Sequence, residues 1–557
     1  MGHKLLNNIA NSIWNGTKDY TIWLAFFITT FLHLPLSVLP LGRDQGVWAT
    51  AGIAINQGAV FFKDYAHFNL PGLGFSYALA LKFVDDPRLA TMLLNLACSL
   101  LVITGMYFLL HLTLDKAAAK WSILLFSFIW PTSQNFWDIA QKDVMAMYGV
   151  FISTWLLARA NNKSDLKRLS IYCAGICVAL SAMYKPLFIV TGLVLAIFHS
   201  VVNLLPYIQS GIYDNKELKK LFWDLTIFLA GHLTIATISL IYLIYNDAFE
   251  SFYNGIFVIA PAYSRIIRLP ILSLLISLFV RMAVLPRPID WTAVVLFLLW
   301  MPVALLSLIY TMRIIFTRKT IWILTPYIVA LATFLAQGKA FEYHSAPWQI
   351  CIIMSVAIWL AAMSQKSPNH KHLVYALTIV IVGIIFARAL SFSQYADTMA
   401  TWLKINSRVE YLRSSYKMIN PDNGRPSPLV SEQISEWIRQ NSEADDKILV
   451  WGLECQLYAL SKRMYATNSP FDFILTGDFK SNEKASAWQD SLRKQFMRRL
   501  NEDKPKYIII TSHDTNPIEP LPSNESVTLV PGFALFIEKE YNVISKVFPF
   551  EIYQRKF

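Results

Sequence analysis

Long apolar runs recur along this chain, and they constrain its fold more than any other feature. A bilayer core of about 30 Å needs about 20 apolar residues to be crossed by one helix. Hydrophobic residues make up 55% of the 557 positions and charged residues only 15%, whereas a soluble domain carries nearer a quarter charged residues. The sequence therefore predicts a mainly α-helical, polytopic membrane protein.

The length rule gives about 11 transmembrane helices. In chain order the predicted spans are 20–41, 88–112, 117–134, 144–159, 169–184, 186–205, 221–245, 290–310, 319–336, 346–363 and 373–390. Only a tight turn at Tyr184-Lys185-Pro186 separates the fifth span from the sixth.

Positive charge is unevenly divided between the loops at the two ends of this bundle. One end collects most of the loop lysines and arginines, whereas the short loops of the other end hold only Lys142, Lys185 and Lys339. The positive-inside rule places the first end and the N-terminus in the cytoplasm, and an odd number of spans places everything after about residue 390 outside. Much of the net charge of +12 lies in this cytoplasmic collar beside anionic lipid, so nucleic-acid binding is not indicated.

Two of the predicted outer loops are long. The first, 42–86, is rich in aromatic residues and glycine, and its stretches 47–57 and 73–83 are apolar enough to lie as helices along the membrane interface. The second, 247–288, contains the apolar run 271–285, which is shorter than a span. That run predicts an interfacial or re-entrant helix, and a true span there would invert the side of the C-terminal part.

Composition becomes more polar after the last predicted span. Helical patterns at 431–440 and 485–500 alternate with strand patterns at 447–452 and 507–511, and 534–537 and 550–553 suggest two further strands. This order predicts a small α/β domain. We therefore expect a transmembrane catalytic domain over 1–393 and an extracytoplasmic α/β domain over 394–557.

Two acidic residues lie where the chain leaves the predicted membrane. Arg43-Asp44 directly follows the first span, and Lys142-Asp143 opens the fourth. A carboxylate at either place could accept a proton from a hydroxyl group, or it could cap the helix that follows. Both acids are expected at the same outer rim.

Two loop motifs add polar side chains to that rim. The loop between the ninth and tenth predicted spans carries a mixed set that a plain connector would not need: Gln337, Lys339, Glu342, Tyr343 and His344. In the first outer loop, His67 and Asn69 precede a Pro-Gly turn, where they could form an ordinary Asn-type bend or a wall of the same site.

A donor whose leaving group is a lipid phosphate suits this arrangement. Its phosphate needs cations at head-group level, its chain needs a groove between spans, and its acceptor hydroxyl needs a nearby base. The available cations are Arg43, Lys63, Lys142, Lys185 and Lys339, and the available bases are Asp44 and Asp143. No P-loop or GxGxxG motif has a suitable strand and helix context, which disfavours a nucleotide-sugar donor and an ATP-driven pump.

These motifs in this order resemble the GT-C superfamily of polytopic glycosyltransferases. The similar elements are the Asp-Gln-Gly turn after the first span, the His-Phe-Asn-Leu-Pro-Gly element, the Lys-Asp entry to the fourth span, the Gln-Gly-Lys-x-Phe-x-Tyr-His loop and the C-terminal α/β part. Within the superfamily, the chain is most similar to bacterial relatives of protein O-mannosyltransferases and to aminoarabinose and galacturonic acid transferases of lipopolysaccharide.

The resemblance implies a polyprenyl- or dolichyl-phosphate sugar as donor, a glycan, lipid or protein as acceptor, inversion at the anomeric carbon and a bacterial inner membrane. It also implies that Asp44 is the base and that Asp143 matches the acid of the second outer loop. The family's phosphate-binding lysine before a Pro-Pro pair is absent, because the matching stretch is Asn69-Leu70-Pro71. Lys185 and Lys339 are therefore the leading phosphate ligands.

Three other functions remain open from the sequence: a lipid-linked sugar transporter or flippase, an O-antigen ligase-like enzyme and a non-catalytic binding protein. Transporters usually place ionisable groups near the bilayer midplane on broken helices. Here His232 is the only clear mid-span ionisable residue, and the acids and bases gather at one rim. The five cysteines suggest neither a disulfide framework nor a metal quartet, although a divalent metal is compatible with the chemistry.

Overall fold

The structure is a computed structural model that describes residues 19–162, 166–210, 215–281, 291–366, 395–416, 427–515 and 519–556, together with the single positions 372, 376, 380 and 383. In chain order, the helices up to residue 366 are α1 (Tyr20–His33), α2 (Arg43–Asn56), α3 (Gly72–Ala80), α4 (Pro87–Thr113), α5 (Lys116–Thr132), α6 (Lys142–Asn162), α7 (Lys167–Tyr184), α8 (Val190–Ser210), α9 (Asn215–Tyr245), α10 (Phe249–Tyr253), α11 (Ala260–Arg265), α12 (Ile271–Arg281), α13 (Trp291–Ile314), α14 (Leu324–Gln337) and α15 (Ala346–Lys366).

Helices lie at ten of the predicted spans, and the eleventh, 373–390, falls almost wholly outside the described residues. Within the described part of the chain, five segments are long and apolar enough to cross a membrane: Tyr20–Val38, Pro87–Thr113, Pro186–Tyr207, Asn215–Tyr245 and Glu342–Gln365. The protein is therefore a polytopic helical membrane protein, and the figure of about 11 spans stays a prediction.

Some helices lie at the centre of the bundle and others at its periphery. In the most apolar window of Glu342–Gln365, 72% of the residues are buried within the protein, against 17% in that of Asn215–Tyr245. Helix α15 is thus central, whereas α9 presents most of its surface outwards. Because lipid is as apolar as these side chains, such exposure carries no hydrophobic penalty in a bilayer.

Short acidic caps set where several bundle helices begin. The Asp86 side chain accepts a hydrogen bond from the Arg88 amide at 2.8 Å, and Pro87 at the first helical position has no amide hydrogen to satisfy. Asp115 accepts from the Ala118 amide at 2.8 Å at the start of α5. These caps fix the residues at which α4 and α5 begin.

The first outer loop forms two helices, α2 and α3, as predicted. Most residues of α2 are buried, and the C-terminal part of the chain packs over it. Thr50 Oγ1 donates to the Cys455 carbonyl oxygen at 3.0 Å, and Arg43 forms an ion pair with Glu454. A Cβ atom on Gly46 would lie 2.3 Å from the Gln456 amide nitrogen, so this contact requires glycine.

In the second outer loop, the apolar run predicted at 271–285 forms the 11-residue helix α12, and residues 282–290 lie outside the described part. This helix is shorter than a span, as expected.

The C-terminal part contains a four-stranded sheet flanked by helices. Its elements are α16 (Tyr395–Trp402), α17 (Arg408–Ser415), α18 (Pro428–Gln440), β1 (Ile448–Trp451), α19 (Gln456–Ser461), α20 (Phe473–Thr476), α21 (Glu483–Asp503), β2 (Tyr507–Thr511), α22 (Ser523–Ser526), α23 (Phe533–Glu540), β3 (Tyr541–Val547) and β4 (Phe550–Arg555). The strand order is β1-β2-β4-β3; β1 and β2 are parallel, with Ile448 opposite Tyr507, and the other pairs are antiparallel.

Three of the four predicted strands are confirmed, and the one at 534–537 is wrong. That stretch belongs to helix α23, where Phe533, Phe536 and Ile537 are buried. Their spacing of three and four residues follows the helical period rather than the alternation of a strand. The neighbouring strand β3 was missed because it is an edge strand whose side chains are largely exposed.

Candidate active site at the outer rim

Three of the predicted site residues form a buried cluster around one ion pair. Lys185 Nζ lies 2.7 Å from Asp143 Oδ2 and 3.0 Å from Asp143 Oδ1. Gln337 completes the arrangement, because its Nε2 donates to Asp143 Oδ1 at 2.9 Å and its Oε1 accepts from Lys185 Nζ at 2.5 Å. Asp143 is fully buried and Lys185 is 9% exposed. The charge of Lys185 is therefore already balanced within the protein.

Asp44 lies in the first turn of α2 and does not cap it. The N-cap residue is Gly42, and Asp44 Oδ2 instead accepts a hydrogen bond from Gln141 Nε2 at 2.9 Å. The first turn is a favourable place for a carboxylate because the unpaired amides there carry partial positive charge. Asp143, in the first turn of α6, is likewise used for contacts with other elements, so both carboxylates face the space between helices.

Lys142 points towards the first outer loop. Its Nζ donates to Asn69 Oδ1 at 2.9 Å and lies 5.4 Å from the centre of the Trp48 ring. The Asn69 amide in turn donates to His67 Nδ1 at 2.9 Å, and the His67 ring packs on Trp48 with centroids 4.7 Å apart. Burial, with the nearby charge of Lys142, holds the pKa of His67 well below its usual value, so this histidine is neutral.

Lys339 is held by the second outer loop. Its Nζ donates to the Tyr263 carbonyl oxygen at 3.1 Å and lies 3.3 Å from the centre of the Tyr263 ring. Gly338 ends α14 with a φ of +66°, the left-handed conformation that glycine adopts without strain, and so turns the chain towards Tyr263. Burial, together with the charge of Lys185, lowers the pKa of Lys339 to about 8.

Tyr263 lies close to Lys339 and within the electrostatic range of Asp44. Burial, followed by the nearby carboxylates of Asp44 and Glu519, raises the pKa of its hydroxyl group. Lys142 belongs to the same set, since burial and the charge of Lys185 lower its pKa to about 8 while Asp44 opposes that shift. Asp44, Lys142 and Lys339 thus lie near one another, and the Asp143–Lys185 pair lies beside them.

Glu342, Tyr343 and His344 form the wall next to Lys339. His344 is buried and its Nδ1 lies 2.9 Å from the Lys339 carbonyl oxygen, while its ring meets Tyr343 edge to face at 4.6 Å. Glu342 lies towards Asp138, whose pKa is raised to about 8 by burial and then by the Glu342 charge.

Two predicted cations do not join the set. Arg43 pairs with buried Glu454 of the C-terminal part. Lys63 donates to the Asn246 carbonyl oxygen at 3.2 Å, lies 3.8 Å from Asp247 and leaves 45% of its side chain exposed. Arg43 thus joins α2 to the C-terminal part, and Lys63 joins the first outer loop to the second.

The sequence did not single out Gln141, Trp48 or Tyr263. Gln141 follows an aromatic loop and carries no charge, and Tyr263 lies within a long outer loop that contains several other aromatic residues. Only their tertiary partners, Asp44, Lys142 and Lys339, distinguish them. A polar residue directly before the Lys142-Asp143 pair was the one local signal available for Gln141.

The described residues contain no group of three or more His, Cys, Asp or Glu side chains arranged to hold a metal ion. The structure therefore assigns no ligands to the divalent metal that is compatible with the sequence.

An apolar cavity of about 830 Å³ opens beside the ion pair. One wall begins at Pro186, directly after Lys185, and another ends at Ala336, directly before Gln337. Helix α9 supplies the third wall with Phe228 and Leu229. The cavity thus runs between membrane helices and starts where the charged rim begins.

Neither a family model nor a curated protein sequence matches this chain. Solved structures do. ArnT from Cupriavidus metallidurans bound to undecaprenyl phosphate matches with a TM-score of 0.55 and 11% identity, over 97% of this chain and 98% of that chain. The same protein in the apo state matches with a TM-score of 0.53 and 12% identity, over 97% and 98% of the two chains.

A second similar protein is the archaeal oligosaccharyltransferase AglB from Archaeoglobus fulgidus, in complex with an inhibitory peptide and a dolichol-phosphate. It matches with a TM-score of 0.50 and 14% identity, over 98% of this chain and 75% of that chain. At such low identity the similarity is one of fold. The resemblance inferred from the sequence is confirmed at that level: this chain has the fold of the GT-C superfamily of glycosyltransferases.

Proposed function

We propose that this protein transfers a sugar from a polyprenyl-phosphate donor to an acceptor hydroxyl group at the outer face of a bacterial inner membrane, with inversion at the anomeric carbon. The observation that carries the proposal is the proximity of Asp44, Lys142 and Lys339, beside the Asp143–Lys185 pair. An apolar cavity starts at Pro186 and Ala336, the sequence neighbours of Lys185 and Gln337. The presence of undecaprenyl phosphate and dolichol-phosphate in structures of the same fold supports a lipid-phosphate donor.

Lys339 and Lys142 are the proposed phosphate ligands. The resemblance had favoured Lys185 together with Lys339, but Lys185 is neutralised by Asp143. Among the described residues, Lys142 and Lys339 form no salt bridge, and their partners are an amide oxygen, a carbonyl oxygen and aromatic rings. An ammonium group whose hydrogen-bond partners are all neutral is well prepared to bind an anion.

The isoprenoid chain is proposed to occupy the cavity beside Pro186. That cavity is lined almost entirely by apolar side chains and backbone of the membrane helices, which suits a hydrocarbon chain. Its start next to Lys185 and Gln337 would keep the phosphate at the rim while the chain lies between the helices.

The proposed reaction is a single displacement. The acceptor hydroxyl oxygen bonds to the anomeric carbon, its proton passes to Asp44, and the bond between that carbon and the lipid phosphate oxygen breaks with its electron pair leaving on the phosphate. Lys142 and Lys339 stabilise the departing charge. Attack from the face opposite to the leaving group gives inversion, and the lipid phosphate is released.

The test uses purified protein in lipid nanodiscs, a labelled polyprenyl-phosphate sugar and a mixture of envelope acceptors. We expect the Asp44→Asn variant to lose about 10² to 10⁴-fold in the rate of lipid phosphate release, because base catalysis contributes about that much. Donor binding should stay within about twofold.

Asp85→Asn is the matched control, since Asp85 also lies in the first outer loop but is 94% exposed in its side chain. This variant should retain full activity. Transfer at the normal rate by Asp44→Asn would remove Asp44 from the reaction. Donor movement across the bilayer without any release of lipid phosphate would instead indicate a transporter.

A further inference from the structure

We infer that Gln141 is the residue that positions Asp44 for catalysis. The inference rests on the proposed function and extends it to a residue that touches neither donor nor acceptor in the proposed reaction. Its basis is a chain of buried hydrogen bonds that reaches from inside the helical bundle to a single oxygen of the Asp44 carboxylate.

The Gln141 side chain amide has two acceptors. Its Nε2 donates to Asp44 Oδ2 at 2.9 Å and to the Trp137 carbonyl oxygen at 2.7 Å. Both amide hydrogens are thus used, and the residue is only 2% exposed. The amide cannot turn without losing a hydrogen bond in a place that water does not reach, so it holds Asp44 Oδ2 in a fixed position.

The loop that carries Gln141 is itself held from α2. Gln45, the neighbour of Asp44, donates from Nε2 to the Ile139 carbonyl oxygen at 2.7 Å and to the Trp137 carbonyl oxygen at 3.3 Å. Residues 137–141 and the first turn of α2 are therefore joined by two adjacent glutamine side chains. A shift of either segment would move Asp44 and Gln141 together.

The same loop is also held from within the bundle. Ala140 has a φ of +52°, which an alanine adopts only under strain, and its amide donates to Asn95 Oδ1 at 3.2 Å. Asn95 is fully buried in α4, and its Nδ2 lies 3.1 Å from His33 Nε2 in α1. His33 Nδ1 lies 2.7 Å from the Thr29 carbonyl oxygen, which fixes the orientation of the imidazole.

The two oxygens of the Asp44 carboxylate therefore have different surroundings. Oδ2 already accepts a hydrogen bond from Gln141, so Oδ1 is the more open oxygen for the proton of the acceptor hydroxyl group. A base that is already oriented loses little freedom in the transition state, and a displacement of about 1 Å can cost about a hundredfold in rate. Gln141 would act through Asp44 and not on the sugar.

The test compares three variants by steady-state kinetics with the labelled donor. Gln141→Met keeps the side chain length and removes both hydrogen bonds, so we expect kcat to fall about ten- to a hundredfold while KM for the donor stays within about twofold. Gln489→Met is the control. Gln489 is 4% exposed and its Nε2 donates to the Ile474 and Gly477 carbonyl oxygens, so it loses equivalent bonds far along the chain and should keep the normal kcat.

Gln141→Glu gives a readout that a merely structural role would not produce. At pH 8 the introduced carboxylate repels Asp44, whereas at pH 5.5 it gains a proton and can donate a hydrogen bond as the amide does. The kcat of this variant relative to the unmodified protein should therefore rise as the pH falls.

The outcomes separate the two proposals. Normal kcat in Gln141→Met, or a deficit in Gln141→Glu that is the same at every pH, would overturn the positioning role even if Asp44→Asn is inactive. Full activity in Asp44→Asn would overturn the proposed function itself. Melting temperatures measured for all variants distinguish loss of folding from loss of kcat, and Gln141→Glu, with an unchanged size, serves if Gln141→Met does not fold.

Discussion

The two ends of the helical bundle use the same residue types in opposite ways. At the end predicted to be cytoplasmic, Asp19 lies 3.1 Å from Lys116 and 3.3 Å from Lys120. Asp224 likewise lies 2.5 Å from Lys167 and 3.1 Å from His199. Each carboxylate there has two partners that can carry positive charge.

At the opposite end Lys185 is paired with Asp143, but two other lysines form no salt bridge with a described carboxylate. Lys142 and Lys339 form no salt bridge within the described residues, although Lys339 is buried and Lys142 is partly buried. At the first end, two buried carboxylates are each matched by cations. At the second, Lys142 and Lys339 have only neutral hydrogen-bond partners, which suits the binding of an anion. The predictions below test that difference, beginning with the largest effect.

The largest effect is expected at the buried pair beside the site. Asp143→Asn leaves the Lys185 ammonium buried without a counter-charge, which we expect to cost about 3–5 kcal/mol in the free energy of unfolding. Asp19→Asn should cost only about 0–1 kcal/mol, because its lysine side chains are 57% and 37% exposed. Thermal unfolding in detergent measures both, and equal losses would break the comparison.

A smaller effect is expected on donor affinity. Lys339→Met removes one charged hydrogen-bond donor from the proposed phosphate site, so the Kd for the lipid donor should rise about 10- to 100-fold, corresponding to about 1.5–3 kcal/mol. Lys120→Met, at the opposite end, should leave Kd unchanged. Fluorescence titration with the donor in nanodiscs measures the affinity, and equal Kd values for the two variants would contradict the assignment.

The same affinity should depend on pH. The pKa of Lys339 is lowered to about 8, so its ammonium group is present below that pH and is lost as the pH rises through it. The diester phosphate of the donor keeps its charge over this range. Donor affinity should therefore fall between about pH 7 and pH 9, and the fall should be smaller in Lys339→Met. A flat profile would place the phosphate elsewhere.

The smallest effect is expected for Lys63. Its side chain is 45% exposed and contacts the Asn246 carbonyl oxygen and a largely exposed Asp247, away from the partners of Lys339. Lys63→Ala should change the transfer rate by less than about twofold in the nanodisc assay. A loss as large as that of Lys339→Met would extend the phosphate site into the first outer loop.

Much of the rim was predictable because a polytopic chain returns to the same side of the membrane at every second loop. Asp44, Lys142, Lys185 and Lys339 each stand at the end of a predicted span, so counting the spans was enough to gather them. Their partners were not predictable. Whether Lys185 meets a phosphate or Asp143 depends on how α6, α7 and α14 pack, and spacing along the chain does not contain that information.

The same limit explains the errors in the fold. The run 534–537 predicts a strand because four apolar residues are too few to show a helical or a strand period. In the structure it belongs to α23, which buries Phe533 and Ile537, four residues apart, on one side. The apolar residues of α2 predicted a helix, but they did not predict what covers it. Part of that cover comes from Cys455 and its neighbours, which no local pattern connects to α2.

The contact between α2 and the segment at Glu454 has a consequence for how the protein is made. Thr50 and Cys455 are 405 positions apart, so the early helix leaves the ribosome long before the surface that will cover it has been translated. Until then, α2 can pack only on earlier parts of the chain, such as His67 against Trp48. The contacts of Arg43 and Thr50 with the C-terminal part can therefore form only late in synthesis.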